Sequence, residues 1–153
     1  PDKDGCMIKK DIVNEAALEM CKADGIILAA PSYYAGIPGT MKAFLDRVFQ
    51  SRKKQFAYKI GAAAAVSRRT GSIAVFDQLR HYFDLAQMLT PPTQYWSVIY
   101  GRQPGEVLQD AEGVQTLRRE AAAMAWLMKI VENGKETFPP PPEEERVMTN
   151  FIR

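Results

Sequence analysis

Two uninterrupted apolar runs of strand length are the feature that most constrains the fold of this chain. They extend from Gly25 to Pro31 and from Ile60 to Val66, and turn-forming or polar residues bound each of them. Both are far shorter than the roughly 20 residues that a membrane-spanning helix needs. A strand without polar alternation is typical of a parallel sheet that is covered on both faces. The sequence therefore predicts an α/β protein with buried strands.

Segments whose apolar residues recur at helical spacing separate these strands. Helices are predicted at 11–22 behind Asp11 as the N-cap, from Pro38 to about Ser51, from Ser72 to about Met88, and from Asp110 to Asn133. An aromatic and β-branched run, Tyr95 to Tyr100, predicts a third strand. Strands that alternate with helices imply right-handed crossovers and a three-layer α/β/α arrangement.

Composition and charge exclude several classes of protein. Hydrophobic residues make up 46% and charged residues 25% of the 153 residues, as in ordinary globular proteins. The net charge is only +2 and no dense basic stripe is present, which argues against a nucleic-acid partner. Two cysteines cannot build a disulfide framework, and no signal peptide opens the chain. We therefore expect a cytoplasmic protein that binds neither nucleic acid nor a membrane.

The composition changes near residue 135. Residues 1–135 hold all the predicted helices and strands, whereas residues 136–153 begin with a run of prolines and continue with glutamates. Proline lacks the backbone donor that helices and sheets require, so we expect this segment to be an extended C-terminal arm. Its apolar end leaves two alternatives, docking on a neighbouring subunit or disorder: Val147, Met148, Phe151 and Ile152.

Two loops that follow the first two strands carry unusual chemistry. In an open α/β sheet, ligands bind outside the carboxyl ends of the strands. The first loop combines paired tyrosines with small residues, which suits a planar ring: Pro31, Ser32, Tyr33, Tyr34, Ala35 and Gly36. The second places two guanidinium groups before a helix N-terminus, which suits an anion: Ser67, Arg68, Arg69, Thr70 and Gly71.

Each loop also has a purely structural interpretation. A tyrosine-rich turn is often only scaffold, and paired arginines are usually solvated, but their joint position after successive strands favours a site for a ring and an anion. A flavin offers both features when it is reduced. We predict no metal ligand, and His81, the single histidine, is expected to have a surface or structural role.

At these residues the chain resembles the flavodoxin-like NADPH-dependent FMN reductase family, in the branch related to iron–sulfur flavoproteins. The resemblance covers roughly residues 6–133 and is most specific from Ala23 to Arg47. It implies a parallel sheet of order 2-1-3-4-5 with FMN at the strand ends and NAD(P)H as co-substrate. The residues of the two loops would then bind the cofactor. Hydride would pass directly from nicotinamide to flavin, without a dedicated acid or base.

The chain departs from that family pattern in three ways. Three strands are predicted where the family has five, the family's FMN phosphate loop has no counterpart, and Pro1 stands where an initiator methionine would be expected. We therefore expect that the first strands lie upstream or on another chain. Cys6 matches the last cysteine of the family's iron–sulfur cluster, but the other three thiolates that a Cys₄ cluster needs are not visible. A cluster would require that those cysteines lie upstream, and it is not the expected case.

Three functions remain open. The leading hypothesis is an FMN-dependent oxidoreductase that passes electrons from NAD(P)H to a small-molecule acceptor such as free flavin or a quinone, within a homodimer or homotetramer. The alternative is an iron–sulfur flavoprotein electron carrier with a ferredoxin-like donor. The third is a flavodoxin-like binding module without enzymatic activity.

Overall fold

The computed structural model describes residues 5–145, 147–149 and 151, which form a parallel sheet between two helical layers. The elements follow one another as α1 (Val13–Lys22), β1 (Gly25–Pro31), α2 (Gly39–Phe56), β2 (Ile60–Ser67), α3 (Ser72–Leu85), β3 (Val98–Tyr100) and α4 (Ala111–Gly134). The strands lie in the order β1-β2-β3, with Gly25 opposite Ile60 and Ala65 opposite Val98. The predicted α/β architecture is confirmed.

One face of the sheet packs against α1, α2 and α3, and holds the larger part of the core. Alternate residues of β1 point into it: Ile26, Leu28 and Ala30. From β2 the small side chains of Ala63 and Ala65 allow α3 to lie close to the sheet. Phe83 of α3 is fully buried there, and a Cβ atom on Gly61 would lie only 2.6 Å from its ring.

The opposite face packs against α4, which contacts mainly β2 and β3. Its buried cluster is small and consists of Ile60, Ala62 and Met124. Ile27 of β1 points to this side and is 62% exposed. The expectation that β1 is covered on both faces is therefore wrong within the described residues, because α4 does not extend across β1. No described strand pairs with the outer edge of β1.

The termini of α1 and α2 differ from the sequence prediction. Ile12, not Asp11, is the N-cap of α1, although the Asp11 carboxylate still accepts a hydrogen bond from the Val13 N–H at 3.1 Å. Helix α2 continues to Phe56, since that side chain is fully buried in the core.

The third strand is shorter than predicted. Tyr95 and Trp96 stand outside it with their rings in contact, 4.8 Å between centroids, and both are more than half exposed. Leu89 forms a bridge to Ile60 at the start of β2, and the chain then leaves the sheet edge before it returns at Val98. Pro91 and Pro92 lie in this excursion, where a missing backbone donor costs no ladder hydrogen bond.

Helix α4 begins as predicted, with the Asp110 carboxylate accepting from the Gly113 N–H at 2.9 Å. Ala121 of this helix is exposed. After this helix the described residues of the arm carry no helix or strand and are exposed, whereas Ile152 lies outside the described residues. None of the helices within the described part of the chain is long and apolar enough to cross a membrane.

Candidate functional site at the strand ends

The carboxyl ends of the strands, with the loops that follow them, form one continuous surface that we call the rim. The Ser32 N–H donates to the Val66 carbonyl at 2.8 Å, so the loop after β1 is fastened to the end of β2. The Gly101 N–H in turn donates to the Ser67 carbonyl at 3.1 Å. The structure thus brings together the two loops singled out in the sequence and places a third beside them.

The loop after β1 contains a tight turn, Tyr33–Gly36, that we call the tyrosine turn. Tyr33 and Gly36 exchange two backbone hydrogen bonds of 2.9 and 3.0 Å. The two residues between them, Tyr34 and Ala35, have φ angles of 51° and 55°. Left-handed residues at both central positions define a type I′ turn, which normally uses Asn or Gly, so this backbone is strained. The strained turn leaves the Tyr34 side chain fully exposed at the rim.

The loop after β2, Arg68–Gly71, which we call the arginine loop, meets the tyrosine turn at a glycine. Gly71 is the N-cap of α3 and has a φ of 91°. A Cβ atom there would lie 2.5 Å from Ser32 Oγ and 3.2 Å from Ala35 Cα, so a larger residue would separate the two loops. Beneath this junction the buried Ser72 hydroxyl donates to Ser67 Oγ at 2.5 Å.

The arginine loop presents positive charge that nothing in the described chain compensates. Arg68, Arg69 and Thr70 are exposed, and neither guanidinium forms a hydrogen bond or ion pair with a described residue. Helix α3, with 14 residues, begins at this loop and directs its positive dipole end to the rim. The arrangement suits an anion or the electron-rich edge of a ring.

One residue that supports the rim was not identified from the sequence. The Gln78 Oε1 atom, on the half-buried side of α3, accepts the Ile37 N–H at 3.1 Å and so holds the loop that follows the tyrosine turn. The sequence shows only that Gln78 precedes Leu79, an apolar residue of the helix stripe that the structure places in the core. Helical spacing alone does not distinguish such a residue from a solvated one.

The third loop, which follows β3 and covers residues 101–105, is closed by the Glu106 carboxylate. The Glu106 carboxylate accepts from the Gln103 N–H at 2.9 Å and the Arg102 N–H at 2.6 Å, and these bonds lower the pKa of Glu106. The Tyr100 N–H donates to Asp110 at 2.9 Å. The Arg102 side chain is exposed and forms no ion pair within the described residues.

Cys6 lies in a separate polar cluster formed with α1 and α2. Arg47 Nε donates to Cys6 Sγ at 3.2 Å, and its terminal nitrogens bind the Asp11 carboxylate at 2.7 and 3.1 Å. The hydrogen bond from Arg47 lowers the pKa of the Cys6 thiol and also that of Asp11. Within the described residues, no group of three or more histidines, cysteines or carboxylates is placed to hold a metal ion.

Known structures with this arrangement of helices and strands are flavodoxin-like. RosB, with bound 8-demethyl-8-formylriboflavin-5′-phosphate, aligns with a TM-score of 0.66 at 15% identity over 95% of this chain and 68% of its own. A WrbA-like flavodoxin from Agrobacterium tumefaciens aligns with a TM-score of 0.58 at 16% identity, over 72% of this chain and 73% of its own. The expected flavodoxin-like fold is confirmed, with three strands in the part of the chain that the structure describes.

Sequence comparison then defines the family. The profile of the NADPH-dependent FMN reductase family matches residues 1–103. An iron–sulfur flavoprotein of Methanocaldococcus jannaschii is 31% identical over 130 residues, which cover 80% of this chain and 67% of that protein. The chain belongs to the NADPH-dependent FMN reductase family, and the prediction of an FMN-binding oxidoreductase is confirmed at that level. The assignment of individual rim residues to FMN stays a prediction.

Proposed function

We propose that this protein passes electrons from NAD(P)H, through FMN held at the rim, to a small-molecule acceptor such as free flavin or a quinone. The observation that carries the proposal is the junction of the tyrosine turn with the arginine loop. There a strained backbone, small side chains and guanidinium groups that have no partner among the described residues converge at the carboxyl ends of adjacent strands. Family membership supports the same chemistry.

The residues at this junction fit one side of a flavin ring. Ala35 and Gly36 have little or no side chain, so their backbone can approach a flat ring closely, while Tyr34 can border it. The guanidinium groups of Arg68 and Arg69 can balance negative charge at the polar edge of the ring. When bound, FMN supplies the capacity to accept a hydride and to release electrons one or two at a time.

Anaerobic reduction tests this function directly. The purified protein, loaded with FMN, should lose its visible flavin absorbance on addition of NADPH or NADH and regain it when free FMN or a quinone is added in excess. Dithionite serves as the control that the bound flavin is reducible. An absorbance that responds to dithionite but to neither nicotinamide would contradict the proposed electron donor.

A charge reversal tests the arginine loop. Arg69→Glu should weaken FMN binding by about tenfold or more, since it exchanges an attraction for a repulsion near the ring. The matched control is Arg118→Glu, the same change at an exposed position of α4. Equilibrium dialysis of FMN measures both variants, and equal affinities would exclude a role for Arg69 in cofactor binding.

We also propose a homodimer or homotetramer in which a neighbouring subunit helps to cover the flavin. Exposed aromatic side chains at the rim support this proposal: Tyr33 is 63% and Tyr100 is 42% exposed. Aromatic residues are enriched at the centres of protein interfaces. Sedimentation velocity should show an oligomer at micromolar concentration, and a monomer with full reductase activity would contradict the shared site.

A second candidate is an electron carrier that accepts electrons from a ferredoxin-like protein. Its support is the name of the Methanocaldococcus relative and the Cys6 thiol held by Arg47. The described residues do not fit a Cys₄ cluster by themselves, because the polar cluster around Arg47 supplies a single thiol where four are needed. Iron and sulfide analysis of anaerobically purified protein tests it, since an iron-free protein that turns over NAD(P)H would exclude this candidate.

A further inference from the structure

The C-terminal arm, residues 136–153, joins a stiff proline segment to a run of carboxylates. The prolines at 139–142 and the glutamates at 143–145 are exposed and carry no helix or strand. None of these glutamates forms a hydrogen bond or ion pair with a described residue. Successive prolines favour the polyproline II conformation, which is already extended and therefore loses little conformational entropy when it binds. The arm is thus a preformed acidic ligand.

Helix α4 carries the start of the arm to the end of the sheet that lies opposite the rim. The first turn of α4 is at the rim, where the Asp110 carboxylate accepts the Tyr100 N–H at 2.9 Å. Its second half lies beside the start of β1, since a Cβ atom on Gly25 would be 2.3 Å from Met124 Cε. The 24 residues of α4 span about 36 Å at a rise of about 1.5 Å per residue. The arm therefore begins about 36 Å from the rim of its own chain.

This distance prevents the glutamates of the arm from reaching the rim of their own chain. The Phe138 N–H donates to the Gly134 carbonyl at 2.8 Å, so the chain is still tied to the end of α4 at Phe138. Beyond it, residues 139–145 extend the chain by at most about 25 Å, at about 3.6 Å per residue. A contact between these glutamates and a rim therefore requires a second copy of the chain.

The rim carries positive charge that matches the glutamates of the arm. Arg68, Arg69 and Arg102 are exposed, and none of their guanidinium groups forms an ion pair with a described residue. The nearby Glu106 carboxylate is already bound by the backbone N–H groups of its own loop. A single negative charge on the ring of a reduced flavin would balance one of the guanidinium groups. The others remain available for carboxylates, which guanidinium groups bind through charge-assisted hydrogen bonds.

The same surface exposes aromatic rings. Tyr33 is 63% and Tyr100 is 42% exposed, and Tyr34 is fully exposed. Surfaces lined by aromatic rings are those on which polyproline II segments dock. The two surfaces are therefore complementary, because the arm places prolines next to carboxylates and the rim places tyrosines next to arginines.

From these observations we propose that the arm of one copy docks on the rim of a second copy. The prolines at 139–142 lie along the exposed tyrosines, and the glutamates at 143–145 pair with the guanidinium groups that the flavin leaves free, Arg102 among them. Because each copy has one arm and one rim, a reciprocal exchange closes a dimer with two identical contacts. The proposal rests on the oligomer proposed above, to which it assigns a specific contact, and it does not depend on the electron donor.

Charge reversal in the arm tests the contact. The arm variant carries Glu143→Lys, Glu144→Lys and Glu145→Lys, and its self-association is measured by sedimentation velocity on the FMN-loaded protein. Association should weaken by about tenfold or more, since attraction becomes repulsion at both contacts of the dimer. The control variant changes three exposed acids of α1 and α3 and has the same net charge: Glu15→Lys, Glu19→Lys and Asp84→Lys. Unchanged association of the arm variant, or equal weakening in both variants, would overturn the proposal.

A mixing experiment identifies the rim as the surface that the arm binds. Arg102→Glu should also weaken self-association, by about tenfold. When this variant is mixed with the arm variant, association should be restored, because the reversed arm of one meets the reversed rim charge of the other. A mixture that associates no better than its components would show that the arm does not bind at Arg102, and the proposal fails.

The anaerobic reduction by NADPH or NADH keeps this result separate from the proposed function. A protein that is reduced by a nicotinamide but whose association does not respond to the arm variant has the proposed activity without the arm contact. A protein that passes the mixing experiment but is reduced only by dithionite has the arm contact without the proposed electron donor.

Discussion

The two faces of the sheet are stabilised in different ways. The face under α1, α2 and α3 is a continuous apolar layer in which Phe56, Leu79 and Phe83 are fully buried. The face under α4 has only a small apolar cluster, and polar side chains are buried beside it: Ser97, Thr116 and Glu120. The first face is therefore expected to hold most of the free energy of folding, and the second to respond to pH and to tolerate changes in packing.

The largest expected effect tests the packed face. Phe83→Ala should lower the free energy of unfolding by about 3–5 kcal/mol, because it removes a fully buried ring and leaves a cavity. Met124→Ala, on the sheet-facing side of α4, should cost about 2 kcal/mol, since its more open surroundings can close over the space. Urea denaturation measures both variants, and a larger loss for Met124→Ala would reverse the comparison between the faces.

Two glycines give a matched test of rigidity. A Cβ atom on Gly61 would lie 2.6 Å from the Phe83 ring, whereas one on Gly25 would lie 2.3 Å from Met124 Cε, the end of a flexible side chain. Gly61→Ala should therefore destabilise the protein by about 1–3 kcal/mol and Gly25→Ala by less than about 1 kcal/mol. Thermal unfolding of the two variants checks this order, and equal losses would indicate that the two faces are equally rigid.

The smallest expected effect is a change in pH dependence. Burial raises the pKa of the Glu120 carboxyl. In the unfolded chain this carboxyl has its ordinary pKa and loses its proton near pH 4. In the folded chain it keeps the proton until its higher pKa is reached. The contribution of Glu120 to the free energy of unfolding therefore declines as pH rises between these two values. Glu120→Gln should abolish that decline. The variant should therefore be more stable relative to the parent protein at pH 7 than it is at pH 4.

The control for this pH effect is Glu112→Gln, an exposed change in the first turn of the same helix. It should leave the pH profile of the parent protein unchanged. Urea denaturation at several pH values measures all three proteins. A decline that persists in Glu120→Gln would show that another group is responsible.

The layered fold could be predicted because its elements have strong local signals. The Gly25–Pro31 run and the Asp110 N-cap were identified directly from residue type and spacing. The exposure of Ile27 could not be predicted, since a continuous apolar run does not reveal which helix covers each face. The β-propensity of Tyr95 and Trp96 was likewise overridden by tertiary context, because the chain leaves the sheet edge after Leu89.

The sequence selects the two loops that the structure brings together, but it does not predict their geometry. The rule that ligands bind at strand ends was enough to select both loops. The left-handed conformations of Tyr34 and Ala35 lack the usual Asn-Gly signature, so the strained turn had no local signal. Glu120 could have been found, because a polar residue at helical spacing from Thr116 and Met124 interrupts an inward stripe.

The alanines of β2 have a consequence that reaches the rim. Ala63 and Ala65 determine how far α3 stands from the sheet, and α3 starts directly after Gly71. The side-chain volume at these two positions of β2 thus sets the distance between the two rim loops. A valine at either alanine would push α3 away from the sheet and move Gly71 away from Ser32. Two added methyl groups in the interior would therefore widen the contact between the two loops at the surface.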